Sequence, residues 1–229
     1  MIRSCLQGVM GKVYTVSDRT SAAAVLGDFC FFSGKPDKKL ILKDYGREFL
    51  ILVPPDESWA ALIQEALPAS RPHTRTAFRK EADFDREKLQ ALLDALPREY
   101  RIQAIDDALY RQCLSQPWSR DLVSNYESRE EYRRLGVGFA VLRDGEILSG
   151  ASAYSRYREG IEIEIDTRED CRHRGLAAVC ASALILHCLE KGLFPSWDAH
   201  NPISAALAEK LGYIPAGEYT VYELHSSKA

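Results

Sequence analysis

Apolar Ile161, Ile163 and Ile165 alternate with acidic Glu162, Glu164 and Asp166. That period of two marks a strand with one buried and one polar face. The pattern breaks at polar Thr167–Cys171. It resumes after Arg172-His173-Arg174-Gly175-Leu176-Ala177 as an Ala- and Leu-rich run, which predicts a helix over 176–191 ending at Gly192. Phe194–His200 reads as a strand, Pro202–Leu211 as a helix between an Asn201 cap and Gly212, and Tyr219–Leu224 as a closing strand. Upstream, Val137–Leu142 and Ile147–Tyr154 flank Asp144-Gly145, a hairpin signature. A further turn near Tyr157–Gly160 leads into the Ile161 strand. Glu99–Asp106 alternates as a strand, and short helical stretches at Asp107–Leu114 and Arg120–Leu135 are separated by Pro117-Trp118. The order β-α-α-β-β-β-α-β-α-β predicts an α/β chain with a mixed sheet.

Before Pro97 the pattern describes a separate α/β unit. Ala22–Phe32 is an apolar run expected as one buried strand, followed by a Ser33–Asp37 turn. Lys39–Lys43, Glu48–Val53 and His73–Arg79 are expected strands. Ser58 is an expected cap for a helix over Trp59–Leu67, and Asp85–Leu96 carries Leu89, Leu92, Leu93 and Leu96 at helical spacing. The expected division is therefore 1–96 and 97–229. The first part also has a strand–break–helix corner at Phe49–Leu67. Its Pro-Pro-Asp-Glu-Ser turn has no glycine and no basic residue, and its prolines lack donors. An anion cradle there would lack its parts, so the first half is expected to be structural, contributing substrate-pocket walls or an interface.

Apolar residues make up 46% of the 229-residue chain and charged residues 28%, ordinary values for a globular protein with a substantial core. A net charge of −3 argues against a nucleic-acid partner, so any anion site is local. The cysteines at 5, 30, 113, 171, 180 and 188 include no Cys-x-x-Cys pair, so no metal site is expected. No signal-peptide pattern and no membrane-spanning run is visible, which makes the cytoplasm the expected location and a membrane partner unexpected. The pattern leaves monomer and homodimer equally open.

Strand, basic glycine-containing loop and helix start form the order that cradles phosphate. First-turn N–H groups lack partners in their own helix, and the helix dipole favours an anion there. Gly175 removes a side chain from the approach, while Arg172, His173 and Arg174 add donors. A solvated corner carrying two surface arginines is the alternative.

Arg172-His173-Arg174-Gly175-Leu176-Ala177 resembles the Arg/Gln-x-x-Gly-x-Gly/Ala diphosphate loop of the GNAT superfamily of N-acetyltransferases. Asn201-Pro202-Ile203-Ser204, with Leu207 and Glu209-Lys210-Leu211-Gly212-Tyr213, resembles the later Asn and Leu-Gly-Phe/Tyr part of that family's pattern. The resemblance covers about residues 97–224. The whole chain, with its N-terminal extension and Pro195-Ser196-Trp197-Asp198, is similar to a mostly uncharacterised bacterial subgroup.

The resemblance implies the GNAT acyl-CoA N-acyltransferase fold and acetyl-coenzyme A as co-substrate. Its diphosphate would lie on His173, Arg174, Gly175, Leu176 and Ala177, with Arg172 contributing charge. The strand edge at Ile165, Asp166 and Thr167 would meet the pantetheine arm, where neighbouring strands splay. Asn201 would lie towards the thioester end, Ser204 would also contact the co-substrate, and capping the 202–211 helix is a compatible role for Asn201.

The implied reaction transfers acetyl to an amine of a small molecule. It needs a base, a polarised carbonyl and a proton for the thiolate. Glu162 is the expected base and Glu164 the second, although this pair could instead bind a cationic substrate or simply form a polar strand face. The spacing from Glu162 to the loop is one residue shorter than the commonest family pattern, so a β-bulge is absent or displaced. A backbone N–H near Thr167 is the expected oxyanion donor. The family's frequent general acid, a Tyr seven residues after the Asn, is Ala208 here. Tyr213 and Tyr154 are present, Trp197 is an expected core residue, Asp198 an acceptor-binding candidate and His200 an expected structural histidine. The alternative function is an acyl-CoA sensor or interaction module with little transfer.

Overall fold

The computed structural model of the chain describes residues 1–225. They fall into two compact units, one comprising Met1–Thr76 with the stretch from Gly217, the other Ala77–Ala216. The division differs from the expected boundary at Pro97. The helix α4 (Arg86–Asp94), expected in the N-terminal half, buries Leu89 in a cluster with Ala181 and Ile185 of the second unit. Apolar burial assigned this helix, and the proline after it marks only a turn.

The first unit contains α1 (Ile2–Gln7), β1 (Lys12–Thr15), β2 (Ser21–Leu26), β3 (Phe29–Gly34), α2 (Lys38–Ile41), β4 (Phe49–Val53), α3 (Glu57–Ala66) and β5 (Arg71–Phe78). The closing strand β12 (Pro215–His225) returns to it. Strand order is β1-β2-β3-β4-β12-β5, with β12 antiparallel to β4. The apolar run Ala22–Phe32 is two strands rather than one. It folds back with Leu26 paired to Phe29, and Gly27 takes φ 56°. Lys39–Lys43 is helical rather than extended, because the Asp37 carboxylate accepts from the N–H groups of Lys39 and Leu40. The core joins Trp59 and Ile63 of α3 to Phe32, Leu50, Leu52 and Tyr222. Phe32 and Trp59 stack at 4.7 Å, and Trp59 Nε1–H donates to the Gly34 carbonyl at 2.9 Å. Asp56 caps α3 and also accepts from the Ser58 hydroxyl, the residue expected to cap.

The second unit continues with α4, then β6 (Arg101–Ala104), α5 (Asp107–Ser115), a 3-10 turn over Pro117–Leu122 and α6 (Arg129–Leu135). After these come β7 (Gly138–Arg143), β8 (Glu146–Tyr157), β9 (Gly160–Thr167), α7 (Leu176–Glu190), β10 (Phe194–Ser196), β11 (Asp198–Ala199) and α8 (Pro202–Leu211). Five strands form a mixed sheet in the order β10-β9-β8-β7-β6. The β9–β10 pair is parallel and the others antiparallel. The single strand expected at Phe194–His200 is interrupted at Trp197. α7 packs Leu176, Val179, Cys180, Leu184 and Cys188 against Val141, Leu148, Ala151, Ala153 and Ile161. Its other side meets Trp197, Ala208, Leu211 and Tyr213 through Ala181 and Ile185. All six cysteines are free and buried. Burial pushes the Cys180 thiol up to about 12, so it is an inert core group. Among the described residues, no helix is long and apolar enough to cross a membrane.

Candidate functional site

The end of β9, the start of α7 and one face of α8 enclose a cleft of about 510 Å³. Ile165, Asp166, Thr167, Arg172 to Ala177, Asn201 and Ser204 all line it. The structure therefore gathers every residue expected to bind the co-substrate.

The loop geometry follows from its residues. His173 and Gly175 both take left-handed conformations, with φ 62° and 78°. Gly175 is the N-cap of α7, and no side chain caps the helix. Among the described residues, the N–H groups of Leu176, Ala177 and Ala178 have no hydrogen-bond acceptor, whereas Val179 N–H reaches the Gly175 carbonyl at 3.3 Å. Orphan donors at a helix start, together with the helix dipole, form an anion cradle. A Cβ at Gly175 would meet nothing within 4 Å, so the fold itself requires glycine there for its positive φ. That open space is also what leaves the amides approachable.

The charged side chains divide their work. Arg174 donates to the Asp170 carbonyl at 3.0 Å, and Arg168 grips the Asp170 carboxylate at 2.7 and 3.0 Å. These contacts tie the loop down. Arg172 stays exposed in the cleft and acts electrostatically on Asp166. Burial is the main cause that pushes the Asp166 carboxyl up to about 7; Asp121 adds to the rise and Arg172 opposes it.

β9 pairs with β10 only over Gly160–Glu162, and the last pair is Ser196 with Glu162. β9 runs on to Thr167 against β8 alone, so its far edge lies open beside the cleft. Ile165 N–H is held by the Glu164 carboxylate at 3.2 Å. Thr167 Oγ1 lies 2.8 Å from Ser149 Oγ. The expected bulge is present but displaced onto the neighbour. The β8–β9 register shifts between Ala153 and Ser155, making Tyr154 the extra residue.

Neither Glu162 nor Glu164 lines the cleft. Both alternate onto the opposite sheet face from Ile161 and Ile163. Glu162 is 9% exposed and meets Lys80 Nζ at 3.4 Å. Its row across the sheet is Ser155, Glu162 and Ser196, and Ser196 Oγ lies 3.0 Å from Tyr157 OH. The Ser155 hydroxyl is buried without a hydrogen-bond partner among the described residues. Lys80 escaped sequence reading because no periodicity links residues 82 positions apart.

On the other wall, Asn201 Oδ1 accepts from Ser204 N–H at 2.9 Å, which is the expected cap. Trp197 Nε1–H donates to Ser204 Oγ at 3.1 Å, so this tryptophan is both a core residue and a cleft wall. Ala208 is fully buried in the cluster with Trp197 and Tyr213. Tyr213 donates to the Pro195 carbonyl at 2.7 Å, and burial pushes its phenol well above the ordinary range. Neither residue supplies a proton at the cleft.

The family model of the GNAT acetyltransferases matches residues 1–222. The chain belongs to the GNAT acetyltransferase family. The match reaches into both units of this GNAT protein. It is similar to a GCN5-related N-acetyltransferase-like protein from Streptococcus suis 89/1591, at 46% identity with a TM-score of 0.93, covering 97% of this chain and 91% of that one. It is also 37% identical over 99 residues to YdfB, an uncharacterised N-acetyltransferase of Bacillus subtilis strain 168. That match spans 42% of this chain and only 38% of the Bacillus protein. A GCN5-related N-acetyltransferase from Kribbella flavida shares the fold at 13% identity, with a TM-score of 0.60 over 97% of this chain and 93% of that one.

Proposed function

We propose that this GNAT protein moves an acetyl group from acetyl-coenzyme A to a primary amine of a small molecule by direct transfer. The observation that carries the reading is the uncapped start of α7, which faces a cleft along the open edge of β9. A diphosphate fits this cradle of orphan amides with Arg172 beside it. The β9 edge at Ile165–Thr167 suits the amide-bearing pantetheine arm. When bound, the donor supplies a thioester carbonyl as electrophile and a thiolate as leaving group.

The chain's own residues supply the rest. Glu162 takes the ammonium proton of the acceptor, directly or through one water, and the freed amine attacks the carbonyl. Glu164, on the same strand face, is second in line. For either glutamate to work, the acceptor approaches from the face opposite the Ile161–Ile163 side chains. Lys80, whose side chain is 58% exposed, gives up its contact with Glu162 as the incoming ammonium replaces it. A β9 backbone N–H near Thr167 steadies the oxyanion. With Ala208 in place of a tyrosine, the departing thiolate takes its proton from water, and that water takes up the proton which the attacking nitrogen loses as the amide forms. Six buried free thiols accord with a reducing compartment, the cytoplasm.

Calorimetric titration with acetyl-coenzyme A, followed by thiol release over a panel of amines, tests the reading. Glu162→Gln is expected to keep donor binding and to lose turnover by about a hundredfold or more. An unchanged rate removes Glu162 as base, and absence of donor binding removes the whole reading. A second reading is an acyl-CoA-binding sensor with little transfer. The buried Ala208 and the Lys80–Glu162 ion pair favour it, and donor binding without turnover on any amine would establish it.

A further inference from the structure

Lys80 already stands where the proposed reaction needs an amine. Its Nζ lies 3.4 Å from Glu162 Oε1, the carboxylate proposed as base. It belongs to residues 79–85, which join β5 to α4 without regular structure. That segment is tied down on both sides of the lysine. The Arg79 N–H donates to the Ile214 carbonyl at 2.9 Å. Phe84 is buried against Tyr213, with ring centroids 4.9 Å apart. The Glu162 end of the contact is placed by the sheet. β10 pairs with β9 no further than Glu162, and the open edge of β9 runs from there to Thr167. A donor whose diphosphate lies on the α7 amides lays its arm along that edge, away from the helix and towards the split. Ile165 is three residues, about 10 Å of strand, from Glu162.

We infer that Lys80 is itself an acetyl acceptor, modified by the donor bound to its own chain. This inference rests on the donor reading above and goes beyond it by naming an acceptor within the protein. Glu162 takes one proton from the Lys80 ammonium, and the neutral Nζ attacks the thioester carbonyl. A nitrogen–carbon bond forms and the carbon–sulfur bond breaks. The second proton that Nζ loses passes through water to the departing thiolate, and Glu162 returns its own to solvent. The products are free coenzyme A thiol and an uncharged lysine amide, which ends the ion pair. Exposure alone does not single out Lys80. Lys38 of the first unit has a side chain 53% exposed and meets Glu65 at 3.3 Å, close to the figures for Lys80. Lys38 therefore reports the uncatalysed reaction of an exposed, ion-paired lysine with a thioester.

The experiment incubates the full chain with acetyl-coenzyme A and no added amine. Peptide mass spectrometry follows acetyl occupancy at Lys80 and Lys38, and calorimetry measures donor binding separately. Lys80 is expected to react more than about tenfold faster than Lys38, because the site holds both reactants together. Glu162→Gln, in protein that still binds the donor, should slow Lys80 by about a hundredfold and leave Lys38 unchanged. Gly175→Glu keeps both Lys80 and Glu162, and should remove the advantage of Lys80 by weakening donor binding. Equal rates at the two lysines overturn the inference, as does a Lys80 rate that Glu162→Gln leaves unchanged. If the donor binds and Lys80 stays unmodified, only the inference has failed. If the donor does not bind wild type, the donor reading has failed and the inference falls with it.

Discussion

Two strand–turn–helix corners of the molecule, β4 into α3 and β9 into α7, finish in opposite ways. At α3 the Asp56 carboxylate accepts from Trp59 N–H at 3.1 Å, so the helix brings its own anion. At α7 the cap position is Gly175, which has no side chain to bring. Two prolines stiffen the first turn, whereas the second passes through left-handed His173 and Gly175. The same electrostatic demand at a helix start is met by a side chain at α3 and, among the described residues, by none at α7. An anion site of this kind is a missing cap, more than an added set of charges.

The strongest way to break this contrast is to give α7 a carboxylate of its own. Gly175→Glu should weaken acetyl-coenzyme A binding by about a hundredfold, near 2.7 kcal/mol, in a calorimetric titration. Undiminished affinity would remove the cradle from the argument. Gly175→Ala sharpens the point by changing the backbone preference without adding charge. Its Cβ meets open space, so the expected cost is the left-handed conformation alone, about 1–2 kcal/mol in urea unfolding. The converse substitution, Asp56→Ala, should cost about 1 kcal/mol of stability and leave donor affinity unchanged. It creates no nucleotide site, because the Pro54-Pro55 turn still lacks donors and basic residues.

The remaining prediction concerns Asp166, beside the start of α7. Its carboxyl stands near 7 in the fold against an ordinary 3.8. Between those values the native state holds a proton that the unfolded chain has released, so this residue's contribution to stability falls as pH rises from about 4 to about 7. Asp166→Asn should flatten that slope and be more stable than wild type at pH 8. Urea midpoints at pH 5 and pH 8 decide it, and parallel wild-type and variant curves would count against a perturbed carboxyl.

Local signals carried much of the fold. The Asn201 cap, the Asp144-Gly145 hairpin and the span of α7 were legible because each depends on residues within a few positions of one another. Lys39–Lys43 misled because one Asp37 carboxylate outweighs the apparent strand pattern. Ala22–Phe32 hid its reversal, since Gly27-Asp28 is a short interruption in a long apolar run. The place of the 172–177 loop in the cleft was readable from its glycine and basic residues. The surroundings of Glu162 were less so, because Lys80 reaches it only through the tertiary fold and the register shift falls in β8.

The closing strand also sets the timetable of synthesis. β12 lies between β4 and β5 in the sheet of the first unit, and its residues are the last described. Until β12 has been made, that sheet lacks an interior strand and β4 presents an unfilled edge. The second unit, continuous from Ala77 to Ala216, has all its strands in hand by then. The first unit is therefore completed only by residues that follow the second, and until they arrive its open edge is exposed to wrong pairing.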